Sequence, residues 1–113
     1  MQELEKETYN FAVQTIGFVR SLEKAGSNHD LAKLKTSAAK VSTIFIEAME
    51  ANENKEFADN LRECLKHAKH AHEELNKISV SDTESPSKEL DRLKSSLNRI
   101  EKQLEEISTK LIY

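Results

Sequence analysis

Between Ser37 and Leu75 an apolar stripe with helical spacing breaks at Asn52-Glu53-Asn54 and resumes at Phe57. Apolar residues that recur every three or four positions line one face of an α-helix, and a polar break this short folds the second helix back on the first. Before the break the stripe is Leu31, Leu34, Ala38, Val41, Phe45 and Ala48, widened by Ile44, Ile46 and Met49. After it come Phe57, Leu61, Cys64, Ala68, Ala71, Leu75 and Ile78. Asn52 is placed to cap the later helix, with Glu53 and Glu56 in its first turn, where the positive end of the helix dipole favours carboxylates.

The flanking segments follow the same period. At the start of the chain Leu4, Phe11, Phe18 and Leu22 fall at heptad spacing, with Thr8 and Thr15 at the intermediate steps. A second stripe of Tyr9, Ala12, Val13, Ile16 and Val19 lies beside them, so this helix asks for neighbours on two sides. Gly17 interrupts it, and close packing of another helix against that spot is the expected reason. Gly26 supplies a stop, and Ser27 or Asn28 a cap for the next start. After a polar stretch from Ser79 to Ser87, Ser85 and Pro86 form a helix start. Leu90, Leu93, Leu97, Ile100, Leu104, Ile107 and Leu111 then give an unbroken seam of large aliphatics.

The spacing thus predicts helices over residues 3–25, 30–50, 53–79 and 86–112 in a single domain, 1–113. An all-α, antiparallel up-and-down four-helix bundle is the economical fold. Two Gly, one Pro and a charged fraction of 33% suit such a bundle and not a turn-rich β fold. The formal charge of −3 gives no general attraction for phosphate backbones, so a nucleic-acid partner would need a local basic patch. The single cysteine, Cys64, falls on an apolar stripe and reads as a small core residue. The acidic opening, Glu3 to Glu7, lacks a signal peptide's basic flank and apolar run, no apolar segment reaches membrane-spanning length, and a cytoplasmic setting is expected.

Few residues offer chemistry. Glu63, His67, His70 and Glu74 share one face of the third helix and could present two imidazoles to a metal, but no Glu-x-x-His pair of a bundle metal site occurs, and a solvated face is the plainer reading. His29 and His72 are isolated and expected to face solvent. Cys64 lacks the electropositive, exposed setting of a nucleophile. Ser37, Ser42 and Thr43 have no histidine nearby in sequence and read as helix-packing residues. With glycine only at 17 and 26 there is no phosphate loop, so neither a cofactor nor an enzyme is expected. Lys66, His67, Lys69 and His70 form the best local track for nucleic acid. Glu63, Glu73 and Glu74 interrupt it, and no aromatic residues interleave it for base stacking.

The runs Ser37-Ala38-Ala39-Lys40-Val41, Glu47-Ala48 and Asn54-Lys55-Glu56-Phe57, followed by Leu61 and Glu74-Leu75, resemble the four-helix-bundle proteins encoded by intervening sequences in bacterial 23S ribosomal RNA genes. Ser37, Val41, Glu47, Ala48, Glu56 and Phe57 match in register. Ile44 stands where that family carries asparagine, and the family's aromatic-rich opening is reduced to Tyr9 and Phe11. The resemblance implies a protomer that assembles as a homopentamer. It also implies kinship with the accessory protein of diversity-generating retroelements, which engages nucleic acid and a reverse transcriptase. Five copies of a chain of charge −3 carry −15 together, which repels nucleic acid at long range.

The expected role is therefore a non-enzymatic interaction module that associates with copies of itself, through Tyr9, Val13 and Ile16 on the first helix. Glu47, beside the stripe of the second helix, is a further candidate at a protomer interface, with simple surface exposure as its alternative. A separate protein partner, or nucleic acid on the Lys66 to His70 track, are the other expectations.

Overall fold

The computed structural model describes residues 2–26, 30–78 and 84–110, with the side chains of residues 84–86 outside the description. Four helices account for nearly all of it: α1 (Gln2–Lys24), α2 (Ala32–Met49), α3 (Asn54–Asn76) and α4 (Glu84–Lys110). They pack in a closed ring of neighbours, α1 on α2, α2 on α3, α3 on α4 and α4 on α1, within a rod of 46 × 21 × 20 Å. Every adjacent pair is antiparallel. Glu23 near the end of α1 meets Lys35 near the start of α2, and Glu7 near the start of α1 meets Gln103 near the end of α4. On α3 and α4 the pairs Lys69 with Glu105 and His72 with Glu101 run in opposite directions. The chain is an all-α, up-and-down four-helix bundle.

The core explains this arrangement. Phe11 and Phe18 of α1, Phe45 of α2 and the α4 row Leu93, Leu97, Ile100 and Leu104 are fully buried. Against them α3 presents mostly small side chains, Ala58, Cys64, Ala68 and Ala71, with Leu61 and Leu75 between. Large groups on α1 and α4, with Phe45 of α2, thus fill the volume that the small groups of α3 and Ser37, Ala38, Ser42 and Ala48 of α2 leave, as close packing requires. Thr8 and Thr15 occupy heptad positions of α1 inside the core. The Thr8 hydroxyl donates to the Glu5 carbonyl at 2.9 Å, one turn back, whereas the Thr15 hydroxyl is buried with no partner among the described residues.

Several local expectations need correction. Glu53, in extended conformation, precedes the first turn of α3, and Asn54 is already helical, so Asn52 is not the cap. No side chain caps α3, and the Phe57 N–H bonds instead to the Glu53 carbonyl. α4 begins at Glu84, so residues 84–87 belong to the helix and not to a linker. Pro86 fits there because the first-turn N–H groups have no intrahelical partner to lose. Gly26 does end α1, with φ of 80°, a left-handed conformation that glycine adopts without steric cost. The capping positions Ser27 and Asn28, like His29, residues 79–83 and Leu111, lie outside the described residues.

Gly17 is the clearest departure. A Cβ built there would meet, among the described residues, no atom within 4 Å beyond its chain neighbours and the nearby backbone of its own helix. No helix of this protomer packs closely against the position, so packing within the bundle does not account for the glycine.

Candidate functional site

The second stripe of α1 divides between core and surface. Ala12 and Val19 are buried and Ile16 is half-buried, while Tyr9 is 58% exposed and Val13 52%. On α2 the two residues expected to widen the inner stripe, Ile46 and Met49, are each 40% exposed, because the arc beyond Phe45 and Ala48 turns away from the bundle axis. Tyr9 and Ile46 wall the same shallow hollow of about 530 Å³, together with Gln2, Glu5, Lys6 and Asn10. The outer edge of the α1–α2 pair therefore carries an apolar strip, Tyr9, Val13, Ile16, Ile46 and Met49. Scattered single apolar residues are ordinary on a protein surface, but a contiguous strip across two helices is the mark of a contact surface. Ile46 and Met49 are visible in the sequence only as stripe residues, since the angle each subtends at the axis depends on where α1 sits.

A second concavity lies between α2 and α3, also about 530 Å³, lined by Lys33, Thr36, Ser37, His67, His70 and Glu74 among others. His67 leans into it, and its Nε2 stands 3.8 Å from the Glu63 carboxylate. Burial is the main influence lowering the His67 pKa below the ordinary histidine value. Lys40 on α2 and His70 and Lys66 on α3 add to that fall, and Glu63 opposes it. The His67 and His70 rings meet edge to face, with centroids 5.9 Å apart. Glu74 is paired with Lys77, which lines the same hollow: its carboxylate accepts from Lys77 Nζ at 2.7 Å. Among the described residues no group of three or more His, Cys, Asp or Glu side chains is arranged to hold a metal ion, and Glu63, His67, His70 and Glu74 do not converge on one point.

The Lys66 to His70 track is split by the helix. Lys69 turns toward α4 and lies 3.7 Å from Glu105, while His67 turns toward α2, leaving Lys66 and His70 exposed between them. Together with Arg62, Leu65, Lys69 and Glu73, these two line a shallow outer hollow of mixed charge. The track is thus two half-faces, each with a carboxylate beside it.

His72 does not face open solvent as expected. Its Nδ1–H donates to Glu101 Oε2 at 3.1 Å across the α3–α4 seam, with both side chains largely covered. Cys64 is a core residue: its Sγ–H donates to the Val41 carbonyl at 3.2 Å, and burial pushes the thiol up to about 12. Ser37 and Ser42 are buried at helix contacts, and the Thr43 hydroxyl returns to the Ala39 carbonyl at 3.0 Å. Glu47 is exposed and takes part in none of the ion pairs among the described residues.

Fold and surface together define an all-α bundle whose most distinctive external feature is the apolar strip on α1 and α2. No helix among the described residues is long and apolar enough to cross a membrane. Comparison with protein-family models, with curated proteins and with solved structures yields no match for this chain.

Proposed function

We propose that this four-helix bundle is a non-enzymatic interaction module that assembles with copies of itself through the outer edge of α1 and α2. The observation that carries this reading is the strip Tyr9, Val13, Ile16, Ile46 and Met49, which leaves more than half of Tyr9 and Val13 in water although the bundle behind it is fully packed. Burying such side chains against a second protein surface returns roughly 25 cal/mol for each Å² of apolar area covered. The resemblance to the 23S intervening-sequence proteins supports self-association in general and implies a ring of five.

The test is the mass of the chain in solution. Val13→Arg places a charge in the middle of the strip without touching the core, so it reduces association and leaves the helical signal unchanged. A self-associating wild type whose assembly is unaffected by Val13→Arg would place the contact elsewhere on the bundle.

A further inference from the structure

Five residues of α1, Glu5, Tyr9, Val13, Ile16 and Arg20, follow one another at steps of four, four, three and four, so they run along one exposed edge of the helix. Only Ile16 among them is even half-buried. The order along that edge is acid, apolar, apolar, apolar, base. Such an order is complementary to itself when reversed. Laid antiparallel on a second α1 about a two-fold axis between Ala12 and Val13, Glu5 falls opposite Arg20 and Tyr9 opposite Ile16, and the two-fold repeats both pairs. Neither Glu5 nor Arg20 takes part in an ion pair among the described residues, so both charged groups are available to such a contact.

Gly17 is a separate observation that points the same way. An exposed glycine in the interior of a helix weakens it, and among the described residues no other element approaches the site. In the antiparallel register Tyr9 of the second copy lies over Ile16, and Gly17, about 100° further round the helix, borders the contact on the Val13 side, where the missing Cβ lets the facing helix come closer. The hollow beside Tyr9 and Ile46 gives the facing helix a concave seat.

We propose that α1 pairs with α1 of a second copy of this chain, antiparallel and two-fold symmetric, in the register that sets Glu5 against Arg20 and Tyr9 against Ile16. The proposal rests on the self-association inferred above and adds to it the register, the symmetry and the charged pairs that fix both. A contact of this kind uses the same patch on both copies and closes at two, unlike the head-to-tail contact that builds a ring.

Charge reversal tests the register. Glu5→Arg leaves arginine at both ends of the edge and Arg20→Glu leaves glutamate at both ends, so each variant repels itself. Mixed together, the two variants restore both opposite-charge pairs. The expected result by sedimentation equilibrium and native mass spectrometry is that wild type forms dimers, and that each variant alone dissociates at least about tenfold more readily. The equimolar mixture returns to wild-type affinity as a heterodimer. Circular dichroism confirms the fold of both variants, whose altered side chains are exposed. Wild type that associates while both variants match it, or a mixture no tighter than its components, overturns the register and leaves self-association standing. A particle of five copies overturns the two-fold pair and favours the ring. A wild type that stays monomeric overturns both this proposal and the reading beneath it.

Discussion

His72 on α3 and Glu101 on α4 are joined by a 3.1 Å hydrogen bond, with 25% and 16% of their side chains exposed. An ionised carboxylate only accepts, so the imidazole nitrogen facing it carries the proton. The bond ties α4 to α3 one layer from the ion pair of Lys69 with Glu105. Because both partners are largely covered, loss of one leaves the other poorly solvated.

His72→Ala is accordingly expected to lower the stability of the bundle by about 1–2 kcal/mol, with Glu101→Gln costing less. Urea denaturation of wild type, both single variants and the double variant measures the coupling directly. A coupling of zero would show that the bond contributes nothing to holding α4 in place.

Thr15→Val is expected to stabilise the protein by about 1 kcal/mol, because it replaces a buried hydroxyl that has no partner with a methyl group of similar size. The adjacent core change Phe18→Ala works in the opposite direction, at about 3–5 kcal/mol, since it empties a fully buried position. Thermal or urea unfolding distinguishes the two. A destabilising Thr15→Val would mean that the hydroxyl finds a partner in solution.

His67 gives the bundle a defined acid sensitivity. Its folded pKa lies below the ordinary histidine value, first because it is buried and then because Lys40, His70 and Lys66 disfavour a second positive charge. A histidine depressed in the folded state is neutral in both states above the unfolded pKa near 6.5, so it costs nothing there. As pH falls from that value toward the folded pKa the unfolded chain takes up the proton first, and stability is lost across that window. His67→Gln is expected to flatten this part of the stability profile, and an NMR titration should place the His67 midpoint below that of a free histidine. A midpoint at or above the ordinary value would contradict the account.

Cys64 should be inert in the folded protein. With its thiol pushed up to about 12 and its Sγ fully buried, it carries almost no thiolate near neutral pH. A thiol-reactive chromogen is expected to label it at the rate of unfolding and not faster. Rapid labelling under native conditions would show that the α2–α3 seam opens locally.

The helices were legible in the sequence because each depends on a period of three or four, and period survives ignorance of the partner helix. Leu90 to Leu104 and Leu61 to Leu75 therefore fall in the core as their spacing indicates, with Phe57 partly buried against it. What the sequence could not show depends on how helices sit against one another. His72 looked isolated because Glu101 lies 29 residues away and meets it only in the α3–α4 register. Ile46 and Met49 read as stripe residues because the sequence does not tell how wide an arc α1 covers. Asn52 was a plausible cap by residue type, but the chain enters α3 through extended Glu53 and uses a backbone bond to close the first turn. Gly17 implies a close neighbour by residue type, and among the described residues of the protomer no other element fills that place.

The central claim is that the outer edge of α1 and α2 is buried in an assembly of this chain. Sedimentation equilibrium of the wild-type protein across the micromolar range tests it most directly. The expected result is a mass above the 12.9 kDa protomer that rises with concentration and falls back in Val13→Arg. A mass of 12.9 kDa at every concentration would contradict it.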